Sequence, residues 1–166
     1  MSLYISDEYL SGFIDGEGCF YVGIVPAKEV KLGWQVIPFF KVSQNPAGKV
    51  ILDGLKKRLD CGYIKRNDNQ KSSDKSLAFV VRNFNDLITK VIPTFNGKLI
   101  IKRNSFNKFK KIIEYIQLKK HLNVQGLKEI IEIAYSMNTQ KRKVSKESLI
   151  EQLQEKSSQT IRQIPI

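Results

Sequence analysis

The sequence predicts an α+β domain: one four-stranded antiparallel sheet with helices on one face and further helices toward the C-terminus. Three observations lead there. Periodicities along the chain run helix, two strands, helix, two strands, then helices. The strand segments alternate apolar and mixed residues, as sheets with one covered face do. The chain of 166 residues is 42% hydrophobic and 10% aromatic, which suits one domain with a hydrophobic core.

Each element follows from its residues. Ser6 caps a helix whose first turn carries Asp7 and Glu8, where acids favour the positive end of the helix dipole. That helix runs through Leu10-Ser11-Gly12-Phe13-Ile14-Asp15-Gly16-Glu17-Gly18. Cys19 to Val25 is rich in strand formers and ends at Pro26, and a second strand spans Trp34 to Ser43. Pro38 within it predicts an edge or a bulge. Residues 47–59 put Val50, Ile51, Leu55 and Leu59 on one stripe, as an amphipathic helix does. Gly62 to Asn67 and Ser76 to Arg82 read as strands around a polar loop. A short helix from Asn85 to Val91 is expected to stop before Pro93. Helices follow at Ser105 to Lys120 and Val124 to Asn138, then a polar joint and an amphipathic helix, Lys146 to Lys156. The expected division is a main domain over 1–138 and a helical tail over 139–166. No internal repeat is visible.

Charge points to a partner. Lys and Arg total 28 against 16 acids, a net charge of +12. Residues 1–60 hold 7 basic and 7 acidic side chains, whereas residues 98–146 hold 13 basic and 3 acidic. Such asymmetry favours a polyanion, nucleic acid first and an anionic membrane surface second. No apolar run is long enough to span a bilayer, and MSLYISDEYL lacks the pattern of a signal peptide. Two cysteines and one histidine make neither a disulfide framework nor a zinc set.

The first helix carries the chemistry. Gly12 and Gly16 are four residues apart and share a face that another backbone can approach closely. Each glycine inside a helix costs about 1 kcal/mol relative to alanine, so close packing of a second copy of this helix would offset them. Glu17 sits at the C-terminal end, where the dipole disfavours an anion unless a cation neutralises it. Two such carboxylates brought together would bind a hard divalent cation. The plainer alternatives are glycines that only terminate the helix and a solvated surface glutamate.

The same segment, Leu10 to Gly18, resembles the motif that names the LAGLIDADG endonucleases. Leu10, Gly12, Ile14, Asp15 and Gly18 match its letters, and Ser11, Phe13, Gly16 and Glu17 are conservative replacements. The resemblance extends through the Cys61-Gly62-Tyr63-Ile64-Lys65 strand and the basic helical part, over roughly residues 7 to 138. It implies the αββαββα homing-endonuclease fold, with a DNA-binding sheet and C-terminal helices. It also implies Glu17 as the catalytic carboxylate, with Glu17 and Gly16 at the metal. Gln44 matches a polar residue near the attacking water, and Lys102 the lysine that offsets phosphate charge. Asp15 takes a structural role, and Gly12, Phe13 and Gly16 form the dimer interface. Mg²⁺ is the implied cofactor, with Ca²⁺ binding but not supporting cleavage. One motif per chain implies a homodimer cutting near-palindromic double-stranded DNA to short 3′ overhangs, though an isolated half of a two-motif parent also fits. An intron-encoded, organellar origin is implied as well.

Counting by two along the strands gives the face that would read DNA. Its polar members are Tyr21, Gln35, Lys41, Tyr63, Lys65, Asn67, Ser76 and Arg82, interspersed with Val25, Ile37, Phe39, Ala78 and Val80. The opposite face, Phe20, Val22, Ile24, Trp34, Val36, Phe40, Val42, Ile64, Leu77, Phe79 and Val81, is the core. Lys28, Lys31, Lys71 and Lys75 in the loops would make outer contacts, and the basic run containing Arg103 would grip phosphates. Rival functions are an RNA-binding maturase, a non-cleaving DNA-binding regulator and, last, a membrane-surface protein.

Overall fold

A computed structural model describes residues 5–67, 75–137 and 142–162. The elements are α1 (Asp7–Glu17), β1 (Gly18–Pro26), β2 (Trp34–Gln44), α2 (Lys49–Leu59), β3 (Tyr63–Arg66), β4 (Leu77–Val81), α3 (Phe84–Asp86), α4 (Ile92–Phe95), α5 (Arg103–Gln117), α6 (Val124–Tyr135) and α7 (Lys146–Arg162). This is the α+β order read from the sequence. The sheet has strand order β1-β2-β4-β3. β4 pairs antiparallel with β2, Lys41 opposite Val80 and Ser43 opposite Ala78, and with β3, Tyr63 opposite Val80 and Lys65 opposite Ala78.

Local chemistry sets the boundaries. The Ser6 side chain accepts from the Tyr9 N–H and starts α1. Asn45 Oδ1 accepts from the Gly48 N–H and opens the turn that leads into α2. The buried stripe of α2 is Leu52, Leu55 and Leu59; Val50, expected on it, is exposed because it falls off that i, i+3, i+7 row. The helix expected to stop before Pro93 continues to Phe95. Residues Leu87–Val91 widen into a π turn, and Pro93 stands in the first turn of α4, where its missing N–H is not needed. Pro38 does not mark an edge, since β2 is an inner strand; pairing with β4 begins only at Phe40, so β4 does not call on Pro38 for a hydrogen bond.

The chain forms two compact units, Met1–Tyr21 with Pro38–Asn107, and Val22–Ile37 with Lys108–Ile166. The first has an aromatic centre. Phe20 stacks on Phe40 at 5.2 Å, meets Phe106 edge-on at 5.0 Å, and Phe40 in turn meets Phe79 and Phe95. Leu10 and Ile14 of α1 and the α2 stripe complete it.

The second unit is built around Leu32, Trp34, Leu127, Ile131, Leu149 and Leu153. Arg142 donates to Val22 O at 2.9 Å and Ala134 O at 2.7 Å and lies over the Tyr135 ring, whose hydroxyl donates to Val144 O. Residues 138–141, where the tail was expected to begin, lie outside the described residues. Leu149 and Leu153 make α7 part of this second core. The helix also extends beyond Lys156 to Arg162.

Candidate active site and nucleic-acid face

Helix α1 uses its faces differently. Leu10, Ile14 and Asp15 point inward and are buried, whereas Tyr9, Gly12, Gly16 and Glu17 are exposed and Phe13 is half-buried. A Cβ built on Gly12 or Gly16 meets nothing within 4 Å, so the fold of one chain does not require glycine there. Gly18 is different. It caps the helix through its N–H to Ile14 O, and a Cβ on it would lie 2.6 Å from that oxygen. The last glycine of the motif therefore serves the chain's own turn, and the two earlier ones leave an open, flat face.

Asp15 organises the neighbourhood. Its carboxylate accepts from the backbone N–H groups of Ile100 and Ile101 and, at 2.8 Å, of Lys102. Burial pushes its pKa up, but the three N–H groups and the Lys102 charge outweigh burial and hold it below the ordinary carboxylate value. This is the structural role that the resemblance implies, and it has a chemical consequence. The clamp ties the segment entering α5 to the end of α1. Lys102 and Lys41 both act on the Cys19 thiol, whose pKa burial raises while these two ammonium charges pull it down.

Glu17 is exposed at the end of α1, and no described side chain bonds to its carboxylate. Gly16 shares the last helical turn, where carbonyls lack an N–H four residues on within the helix. Among the described residues, no group of three or more His, Cys, Asp or Glu side chains comes together. The Glu17 carboxylate and the Gly16 carbonyl, the donors that the resemblance implies, are hard oxygen donors of the kind that divalent cations such as Mg²⁺ take. Gln44 ends β2 with its Oε1 accepting from the Asn45 N–H and its side chain over Gly48, which has no Cβ to obstruct it.

The open face of the sheet in the first unit carries most of the expected residues. Tyr21 packs on Phe39 at 5.1 Å, and the Arg82 guanidinium lies 5.4 Å over the same Phe39 ring. Lys41, Val80 and Tyr63 form one cross-strand row, and Ser43, Ala78 and Lys65 the next. Ala78 and Val80, on the inner strand β4, are buried and so not available to a partner on this face. Asn67 donates from its side-chain amide to Ser43 Oγ and Ser76 Oγ. Arg103 is exposed at the start of α5, with its Nε donating to Leu99 O. In the second unit, Lys28 and Lys31 in the β1–β2 turn and Gln35 on β2 are exposed. Lys71 and most of its loop, residues 68–74, lie outside the described residues.

Sequence reasoning missed Ile100 and Ile101. They are 77% and 78% exposed, large and apolar, and their own N–H groups are held by Asp15. The available signal was the run Leu99-Ile100-Ile101-Lys102, in which Leu99 alone is buried. No helix among the described residues is long and apolar enough to cross a membrane.

Comparisons with known proteins bear on the family and the fold. The LAGLIDADG endonuclease family matches residues 10–113. The Neurospora crassa protein named "Probable intron-encoded endonuclease 2" is 32% identical over 132 residues, covering 78% of this chain and 27% of its own length. The chain thus spans about a quarter to a third of the length of the first curated relatives that it matches. Among solved structures, the homing endonuclease I-TnaI is 33% identical with a TM-score of 0.78, over 93% of this chain and 99% of that one. The archaeal intron-encoded homing endonuclease I-Vdi141I, solved in complex with DNA, is 27% identical with a TM-score of 0.82, over 92% and 96%. With the motif, the sheet and these matches in agreement, the chain belongs to the LAGLIDADG endonuclease family.

Proposed function

We propose that the chain is a sequence-specific DNA endonuclease that works as a homodimer, its active centre formed where two α1 helices meet. The observation that carries this reading is the exposed face of α1. Gly12 and Gly16 leave it flat, Tyr9 is 55% exposed, and it ends on the unbonded Glu17, while Ile100 and Ile101, whose N–H groups meet Asp15 of the same helix, are also exposed. A second copy packed on this face would cover the isoleucines and bring two Glu17 carboxylates together.

Glu17 and the Gly16 carbonyl would hold a divalent metal ion, which would supply Lewis acidity and an activated water for phosphodiester hydrolysis. Lys102, positioned by the Asp15 clamp, offsets negative charge developing on the phosphate. Gln44 orients water, and the sheet face and Arg103 bind the DNA. Mg²⁺ supports cleavage and Ca²⁺ supports binding alone. The products are short 3′ overhangs on a near-palindromic site, and the source is an organellar intron. The name of the Podospora anserina relative, which refers to an ND4 intron, supports that origin.

The test is selection from a randomised library of double-stranded sites by wild type and Glu17→Gln, in Mg²⁺ and in Ca²⁺, with mass measured in solution. Cutting by wild type in Mg²⁺ only, binding by both proteins, and a dimer mass are expected. Binding without cutting by wild type would refute the nuclease reading and leave a regulator or a maturase.

A further inference from the structure

On the open face of the sheet, Asn67, Ser43 and Ser76 form a small closed network. Asn67 Nδ2 lies 3.0 Å from Ser43 Oγ and 3.0 Å from Ser76 Oγ. The Asn67 backbone N–H also donates to Ser76 O at 2.8 Å, which fixes the residue beside β4. The register puts all three side chains on one face: Ser43 is opposite Ala78 and Ala78 opposite Lys65, with Ser76 and Asn67 each two residues further along. Ala78 is only a methyl group between β2 and β3, which lets the Asn67 amide reach across β4 to Ser43.

The chemistry follows from counting protons. A carboxamide has two N–H donors on nitrogen and lone pairs on oxygen. Here both N–H donors are engaged inside the protein, so only the oxygen remains to meet a ligand. A free asparagine pairs with adenine through a donor and an acceptor together, contacting N7 and N6. Asn67 cannot do so without breaking its own network.

We infer that Asn67 acts as a lone hydrogen-bond acceptor in the major groove and selects amino bases, adenine or cytosine, over keto bases, thymine or guanine, on the contacted strand. Adenine N6 and cytosine N4 present an amino donor in the groove. Thymine O4 and guanine O6 present an acceptor, which would face the Asn67 oxygen with like partial charge. The inference rests on the proposed DNA-binding reading and adds to it which bases this position accepts.

The experiment is enrichment of protein-bound duplexes from a randomised double-stranded library in Ca²⁺, with wild type, Asn67→Ala and Asn67→Asp. Wild type should enrich adenine and cytosine together at one position of each half-site, about five- to tenfold over guanine and thymine. Asn67→Ala should lose that preference and keep the rest of the profile. Asn67→Asp, whose oxygens are acceptors only, should retain it despite weaker overall binding. Two results overturn the inference alone: a selected site in which Asn67→Ala alters no position, or one in which wild type prefers keto bases at the altered position. The second would mean that the amide faces the groove with its nitrogen. Absence of any enriched sequence with wild type would overturn sequence-specific DNA binding itself, and this inference with it.

Discussion

Replacing Asp15 by asparagine should destabilise the protein strongly, although the change is isosteric. The carboxylate accepts from three backbone N–H groups, those of Ile100, Ile101 and Lys102, using both oxygens. An asparagine has one acceptor oxygen and would turn an NH₂ group toward N–H donors. A hydrogen bond to a charged group contributes about 1.5–3 kcal/mol, so losing one or two of these predicts a destabilisation of roughly 3 kcal/mol. For a chain of this size that corresponds to a fall in Tm of roughly 6–12 °C. Thermal and urea unfolding followed by circular dichroism measure it. Lys102→Ala is the comparison, because it keeps the backbone N–H of the clamp and removes only the ammonium charge, the last of the causes that hold the Asp15 pKa down; its Tm should fall by clearly less than that of Asp15→Asn. An Asp15→Asn variant as stable as wild type would refute the clamp.

The same carboxylate sets a pH dependence. Asp15 and Asp7 both have folded-state pKa values below the ordinary one, Asp7 down to about 2 through its hydrogen bond to Arg58, burial opposing and Lys98 assisting. Groups depressed on folding contribute stability above their unfolded pKa and lose it as pH falls through the folded value. Stability should therefore hold above about pH 4 and fall below it, for Asp7 across the interval from about 4 to 2. Urea midpoints across that range test this, and the Asp15→Asn curve should be flatter than that of wild type.

Two further predictions concern the second copy and the C-terminal helix. Gly12→Ala should raise the stability of the isolated chain by up to about 1 kcal/mol, since its Cβ meets open space and alanine favours helix. Gly12→Leu should abolish self-association, read by sedimentation, while leaving circular dichroism unchanged. Leu153→Ala should cost about 2–5 kcal/mol in unfolding experiments, because Leu153 is fully buried with Leu127, Ile131 and Trp34; an unchanged Tm would make α7 an appendage.

Much of this was legible in the residues. Strand alternation identified the core positions Phe20, Val22, Trp34, Phe40, Val42, Phe79 and Val81, because a strand buried on one face repeats every two residues. The motif located Glu17 and the open face of α1, since glycine spacing in a helix is a local property. What depends on distant chain was not legible. The burial of Ala78 and Val80 depends on which residues stand beside them on β2 and β3, which pairing across the sheet decides. Nothing local to Ile100 and Ile101 indicates that Asp15, some 85 residues earlier, holds their N–H groups. Helix α7 looked like a tail because its stripe, Leu149 and Leu153, is short; its partners lie in β2, in the turn before it and in α6. The helix past Pro93 needed a π turn that no residue type announces.

The central claim, that two Glu17 carboxylates from two chains make one cutting centre, is tested most directly by mixing subunits. Wild type and Glu17→Gln are refolded together at varying ratios, and the initial rate at which a supercoiled plasmid bearing one selected site is lost, by nicking or by linearising, is measured in Mg²⁺. If both carboxylates are required, the rate falls as the square of the wild-type fraction. A rate falling in simple proportion to that fraction would mean that each chain cuts on its own, and would contradict the shared centre.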